Sequence, residues 1–450
     1  MTGEAPARGA VKRSALPIGD AELDALFAPL APFATIILAV SGGADSMAMM
    51  HLVARWSRRI LNAGSKLVVA TVDHGLREGS RSEAVWVAGE AEKLQLVHEL
   101  LIWTGDKPSA GIQDAAREAR YRLLSDLAWQ LTGAGPVAIV TAHTEDDQAE
   151  TLLMRLARGS GLDGLTGISP ARFVGRGAEC RLVRPLLSVS GARLRATLQA
   201  AGVAWIEDPS NDCDRFERVR LRKARAVLEE LGLSNDKIAL SARRLERARQ
   251  ALDAAAEQLA TGAHLDLHGG TFASLDAQAF AAAPEETRLR LMARLVSAFG
   301  GQDEPLRLAK LEGLIARMAQ PRFEGATLAG AIVSRRGGDL RVFREPGRAG
   351  LVALELIPGS TAVWDRRFRV WVAAGIGRPV EVRALGAQGF AELRQQLDDP
   401  GRLPPAQAAA TLPTFWCRGE LMGVPQLSSL RGAPASWGAT GRPYSAEFLW

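Results

Sequence analysis

The stretch ILAVSGGADSMAMMHL, residues 37–52, decides how the chain is read. The run that leads into it, TIILAV (35–40), is rich in β-branched and apolar side chains and reads as a short buried strand. It stops at Ser41-Gly42-Gly43, where two glycines permit positive φ and close approach of a ligand to the backbone. Beyond Asp45, the residues Met47, Met50, His51 and Ala54 recur at helical spacing. Strand, glycine loop and helix start bring free N–H groups and the positive end of a helix dipole to one point. That arrangement suits a phosphate.

Outward from this unit the pattern repeats. KLVVATV (66–72) reads as a strand ending at Asp73-His74-Gly75, and a helix over about 80–94 leads to the strand VHELLIW (97–103). A long helix, SAGIQDAAREARYRLLSDLAWQL, precedes the strand PVAIVTA (136–142) and the helix TEDDQAETLLMRLA. Strands alternating with helices predict a doubly wound, mostly parallel α/β sheet covered on both faces. Ligands bind such sheets beyond the carboxyl ends of the strands. Ser41–Gly43, Asp73–Gly75 and His143–Asp147 all follow strands, so the three polar clusters are expected on one rim.

The remaining organisation is coarser. A tail and helix occupy 1–30, the α/β domain 31–212, an arginine-rich helical domain 213–265, and a smaller α+β domain 266–450. In the last, GAIVSRRGGDLRVFRE reads as a hairpin turning at Gly337-Gly338. Three separated cysteines, Cys180, Cys213 and Cys417, speak against a zinc ribbon, a dithiol site or a disulfide scaffold and fit a reducing cytoplasm. No run is long and apolar enough to span a membrane. The net charge of +5 mildly favours an acidic partner.

The opening loop is no Walker A motif, because no G-K-[ST] follows its glycines. A literal G-x-G-x-x-G at Gly159–Gly164 follows a helix and not a strand, so the dinucleotide-binding context fails. Ser41-Gly42-Gly43-Ala44-Asp45-Ser46 instead resembles the S-G-G-x-D-S loop of the ATP pyrophosphatases, which cleave ATP between its α- and β-phosphates. Further stretches follow in order: DHGLR (73–77), AREARY (116–121), HTEDDQAET (143–151), RLARGSGLDGLTGI, RPLL and EDPSN (207–211). Together they resemble the tRNA(Ile)-lysidine synthetases of this PP-loop superfamily, over roughly residues 35–260.

The resemblance implies an adenine-nucleotide alpha-hydrolase-like fold and a ligase. Such enzymes adenylate carbon 2 of the wobble cytidine in isoleucine tRNA with a CAU anticodon. The amine of free L-lysine then displaces AMP, giving lysidine. ATP and Mg²⁺ are the implied small-molecule requirements, and a homodimer is an assembly it allows. Ser41, Gly42, Gly43, Ala44, Asp45 and Ser46 would hold pyrophosphate, with Asp73 and His74 beside the nucleotide. Asp45 and Asp147 are the implied Mg²⁺ ligands. Arg117 and Arg120, three apart on a helix, are candidates to neutralise phosphate charge. The competing reading is a surface pair such as Arg117 with Asp114.

Free lysine must also be held and deprotonated, since an amine with pKa of about 10.4 is a poor nucleophile at neutral pH. Asp147 and Glu150 are i, i+3 and Asp146 and Glu150 i, i+4, so either pairing puts two carboxylates on one helix face. Acids in a first helical turn also stabilise the helix without any ligand. Two residues depart from the family pattern: Thr144, where a second histidine is usual, and Val219, where Arg218 is normally followed by asparagine.

The arginines between Arg215 and Arg225, and those from Arg243 to Arg249, can meet RNA phosphates or make a salt-bridged helical face. The segment after 266 is then expected to help choose the tRNA, with Trp364, Phe368, Trp371 and Trp416 either stacking on RNA or filling a core. A tRNA thiolase with a similar loop would need paired or catalytic cysteines. A small-molecule amide-forming pyrophosphatase would not need the arginine-rich section. A non-catalytic RNA-binding protein would not need the SGGADS and DDQAET stretches.

Overall fold

Buried apolar strands set the frame of the first of two compact units, residues 1–247 and 248–450. The structure, a computed structural model, describes residues 15–60, 65–76, 79–105, 107–108, 111–174, 180–207, 217–302, 306–347, 349–395, 403–428 and 443–450. Arg77, residues 208–211 of the EDPSN stretch, Cys213 and Arg215 lie outside them.

The first unit opens with α1 (Asp20–Phe27), then β1 (Thr35–Ala39), α2 (Ala44–Ile60), β2 (Lys66–Asp73), α3 (Ser80–Lys93), β3 (Val97–Ile102) and α4 (Ile112–Leu131). It continues through β4 (Val137–Val140), α5 (Glu145–Ala157), α6 (Leu162–Leu165), β5 (Ala171–Phe173), β6 (Cys180–Val183) and α7 (Gly191–Ala200). Helices α8 (Glu217–Lys223), α9 (Arg225–Glu230) and α10 (Asn235–Gly262) follow. The sheet runs β3-β2-β1-β4-β6-β5, parallel except for the antiparallel edge strand β5.

Ile36, Ile37 and Leu38 of β1 are wholly buried because helices cover both faces of the sheet. Ile36 and Leu38 join a cluster with Met47, Met50 and Trp56 of α2, Val87 of α3, and Leu194 and Leu198 of α7. Ile37 points the other way, into a cluster with Leu124, Leu127 and Ala128 of α4. Alternation along one strand thus fills both layers, as a doubly wound sheet requires. Parallel strand direction puts the loops after β1, β2, β4 and β6 on one rim. Helix α5 leaves that rim and packs Ala149 and Leu152 against Ile238 and Ala242 of α10.

Among the described residues the second unit holds three antiparallel sheets. One, β7-β10-β9-β8, is built from β7 (Ala273–Asp276), β8 (Gly325–Leu328), β9 (Ala331–Arg336) and β10 (Asp339–Arg344). Strands β9 and β10 pair Arg336 with Asp339, so the turn falls at Gly337-Gly338 as the sequence predicts. Its core is shared with the helices at 285–300 and 308–318. The other two sheets lie in the last hundred residues around a second core that includes Trp364, Phe368, Val370 and Phe415. Trp364 and Phe368 are therefore core residues, whereas Trp371 is 37% exposed.

Candidate active site

The loop after β1 is held by its own serines. Ser46 Oγ accepts the Ser41 N–H at 3.2 Å and donates to the Gly43 carbonyl at 2.9 Å. Ser41 Oγ lies 3.3 Å from Ser46 Oγ, and Ser41 itself is exposed. Gly42 takes φ +89°, and a Cβ there would lie 2.7 Å from Ile206 Cδ1 and 3.3 Å from Val87 Cγ2. Ile206 closes the loop from behind by donating its N–H to the Gly42 carbonyl at 2.9 Å. Glycine is needed there both for conformation and for room.

Asp45 lies in the first turn of α2, beside Asp146 and Asp147 of α5's first turn. Its Oδ1 is buried and, among the described residues, has no hydrogen-bond partner. Burial, and then the carboxylates of Asp147 and Asp146, push its pKa up to about 6, against the pull of Arg195 and Arg222. The α5 acids are each engaged. Asp146 Oδ2 accepts the Gly191 N–H at 2.8 Å, and its Oδ1 accepts from Asn235 Nδ2 and lies 3.4 Å from Arg225. Gly191 is at α7's first position, where a Cβ would stand 3.0 Å from Asp146 Oδ2 and 3.4 Å from Asp45 Oδ1.

Asp147 closes a capping box. Its Oδ2 accepts from the Thr144 N–H at 2.9 Å and from Thr144 Oγ1 at 3.0 Å, while Oδ1 lies 3.6 Å from Arg218. Thr144, the residue that departs from the family pattern, is thus the N-cap of α5. Glu150, one turn on, is 6% exposed and accepts from Arg222 Nε at 2.6 Å. Burial holds the pKa of Glu150 above the ordinary carboxylate value. Glu145 faces Arg243 at 3.9 Å. Arg218, Arg222 and Arg225 therefore dock on the acidic helix. For these three, and for Arg243, the salt-bridged reading of the arginine cluster holds.

On the β2 side, Asp73 Oδ1 accepts from the Gly75 N–H at 2.8 Å and Ser80 Oγ at 2.7 Å, which fixes the turn. Arg120 Nη2 lies 3.3 Å from His74 Nε2. Burial first, and then Arg120, lower the His74 pKa to about 4, so the ring is neutral at pH 7. With Nε2 accepting from Arg120, the proton sits on Nδ1, which is buried without a partner. His143 is likewise held to about 4 by burial, with its Nδ1 2.9 Å from Thr141 Oγ1.

Arg117 points elsewhere. Among the described residues it pairs with no carboxylate, Asp114 included, and its guanidinium lies 5.3 Å over the Tyr121 ring. The glycine-rich stretch after α5 is strapped down by that helix. Gln148 bonds both the N–H and the carbonyl of Ile168, at 2.6 and 2.8 Å, and Arg155 donates to the carbonyls of Gly164 and Gly167 at 2.7 and 2.8 Å.

The structure thus gathers Asp45, Asp147 and Glu150 with the Ser41–Ser46 loop. Asp73, His74 and Arg120 stand at the neighbouring β2 edge. Sequence reading missed Ile206, Gly191, Arg195 and Asn235. Only the spacing of Arg218, Arg222 and Arg225, which repeats that of a helix face, signalled the docking partners of α5. Among the described residues no group of three or more His, Cys, Asp or Glu is arranged to hold a metal. A cation here would need substrate oxygens beside Asp45.

Comparison with known proteins is consistent with this geometry. Residues 17–231 match the family model of a PP-loop domain. The chain is 45% identical over 352 residues to the tRNA(Ile)-lysidine synthase of Bradyrhizobium sp. strain BTAi1, covering 74% of this chain and 96% of that protein. It is 39% identical over 408 residues to the tRNA(Ile)-lysidine synthase of Ruegeria pomeroyi, covering 89% and 90%. A solved U34-tRNA thiolase from Methanococcus maripaludis is similar over 47% of this chain and 72% of its own, at 18% identity and a TM-score of 0.39.

Proposed function

We propose, from the premise that the chain belongs to the tRNA(Ile)-lysidine synthases of the PP-loop family, that the Ser41–Ser46 loop and the α5 acids form one site for activation and amine attack. The enzyme is a ligase that uses ATP to form lysidine in isoleucine tRNA. In the proposed sequence the cytidine O2 attacks the α-phosphorus and pyrophosphate leaves. The lysine Nε then attacks carbon 2, AMP departs with O2, and the amine loses its protons.

The observation that carries the site is Asp45 Oδ1: buried, unpaired, and crowded by two carboxylates. Such an oxygen fits Mg²⁺, which takes one or two carboxylates and completes its shell with phosphate oxygens and water. When bound, Mg²⁺ neutralises charge on the triphosphate; Asp45 would hold it, with substrate oxygens and water completing the shell. The loop N–H groups and Ser41 take the leaving pyrophosphate. Arg120 sits beside neutral His74 on the nucleotide side, where its charge counters that of the phosphates.

Asp147 and Glu150 receive the lysine ammonium, and a carboxylate there accepts its proton. Arg218 and Arg222 hold those two acids in place, at 3.6 Å from Asp147 Oδ1 and 2.6 Å from Glu150 Oε1. The α/β domain at 31–212 is catalytic in this reading. The arginine-rich helices complete its acidic site, and the segment after 266 selects the tRNA. The test is incorporation of labelled lysine into an isoleucine tRNA transcript with a CAU anticodon, with ATP and Mg²⁺ present. A transcript with U at the wobble position is the control. Label in the first and not the second is the expected result, and label in neither, with folded protein, overturns the reading.

A further inference from the structure

Most arginines around the acidic site have carboxylate partners. Three others gather on one aromatic ring without any. Arg117 of α4 and Arg172 of β5 each place a guanidinium 5.3 Å from the Tyr121 ring. Arg184, immediately after β6, lies beside the Tyr121 side chain and donates to the Ser169 carbonyl at 2.6 Å. Arg184 is only 5% exposed, and its Nε is buried with no hydrogen-bond partner among the described residues. Among the described residues no carboxylate is paired with any of the three. A buried guanidinium normally has an anion beside it, because desolvating an uncompensated charge is costly.

We propose that Arg117, Arg172 and Arg184, gathered on Tyr121, form a phosphate-binding subsite for the RNA backbone next to the modified nucleotide, with Tyr121 as its positioning residue. This rests on the tRNA-modifying reading above. Two observations favour RNA over the nucleotide as the source of the phosphate. The subsite lies at the β6 end of the order β1-β4-β6, about 10 Å from the β1 loop at the usual strand spacing. A nucleotide anchored by its pyrophosphate at β1 leaves that position to the second substrate. Arg117 and Arg172 are also exposed, open to a polymer that arrives from solvent.

The chemistry calls for such a clamp. A cytidine whose carbon 2 must reach the loop has to leave the anticodon stack, and phosphate contacts set the register of a displaced base. Guanidinium groups supported by an aromatic face suit that role, since the ring fixes their planes without neutralising them.

The test uses the full chain and the variants Arg172→Ala, Arg172→Lys and Tyr121→Leu. Arg172 lies on an exposed edge strand, so its replacement leaves the core intact. Binding of the CAU-anticodon transcript is measured across roughly 50–200 mM salt, and ATP binding is measured without RNA. Arg172→Ala should weaken tRNA binding about tenfold and reduce the salt slope by about 1, with ATP affinity unchanged. Arg172→Lys should recover most of the loss, and Tyr121→Leu should raise KM for tRNA and not for ATP.

Loss of ATP affinity with tRNA binding unchanged would overturn the RNA assignment and make the phosphate that of the nucleotide. No change in either would overturn the subsite. Failure of the wild-type protein to bind the transcript or incorporate lysine would count against the functional reading instead.

Discussion

Asp45→Asn separates the electrostatics of the site from its packing. The side chain keeps its shape and loses its charge. In the folded protein burial and the neighbouring Asp147 and Asp146 push the Asp45 pKa up to about 6 from an ordinary 3.8, so folding favours the protonated acid. The sign follows. Below about pH 4 Asp45 is neutral in both states, and the variant and wild type should be equally stable. As pH rises from about 4 to about 6 the unfolded chain ionises Asp45 while the folded protein holds it protonated, so stability is lost relative to the variant across that window. Above about 6 the folded carboxylate is ionised beside Asp147 and Asp146 and the loss is complete.

The rise from 3.8 to about 6 corresponds to ~3 kcal/mol, which partial exposure and salt reduce to about 2 kcal/mol. For a unit of this size each kcal/mol moves Tm by about 2–4 °C, so Asp45→Asn should melt about 4–8 °C above wild type at pH 8 without metal. The assay is thermal unfolding of both proteins from about pH 4 to 8. Groups common to the two, including His74 and His143, cancel in the difference. Mg²⁺ with a nucleotide should narrow the gap from the wild-type side, because it binds only the folded, charged site. The stabilised variant should form no lysidine. A difference that stays flat with pH, or a variant less stable than wild type at pH 8, would refute the crowding argument.

Two further substitutions test neighbouring parts of the site. Asp147→Asn retains a carbonyl oxygen for the Thr144 cap, so stability should change by less than about 1 kcal/mol while lysine incorporation is lost; incorporation at the wild-type rate would remove Asp147 from the lysine site. Gly42→Ala meets Ile206 Cδ1 at 2.7 Å and keeps a strained φ of +89°, so it should destabilise by about 1–3 kcal/mol and weaken ATP binding. The double variant with Ile206→Ala should recover part of the stability and little of the binding, which denaturant titration and a nucleotide-binding assay can read separately.

How much of this was legible depended on the range of the interaction involved. The strand, the glycine turn and the start of α2 are set by neighbours in sequence, and the reading of residues 35–54 agrees with the structure almost residue for residue. The rim followed from strand direction alone. The docking of Arg222 on Glu150 spans 72 residues, and that of Asn235 on Asp146 spans 89, so no local pattern encodes either. Tyr121 illustrates the same limit. It reads as one more residue of a helical period, and only the β5–β6 hairpin, folded back beside α4, reveals the arginines that converge on it.

The charge balance of the site then explains why an arginine-rich section follows an acidic helix. Helix α5 begins with three consecutive acids and adds Glu150 one turn later; its own N-terminal dipole is worth about 0.3–1 kcal/mol per acid and does not offset four. Arg218, Arg222, Arg225 and Arg243 each meet one of these carboxylates, at 3.6, 2.6, 3.4 and 3.9 Å. Asp45 stands opposite, on a different helix, with a buried oxygen that none of these arginines hydrogen-bonds. In the proposed mechanism a negative centre balanced along α5 and less so at Asp45 attracts a cation beside the Ser41–Ser46 loop, where the chemistry of phosphate release requires one. The arginines act, in that mechanism, by what they neutralise: they pair the acids of α5 and leave Asp45 Oδ1 without a hydrogen-bond partner among the described residues.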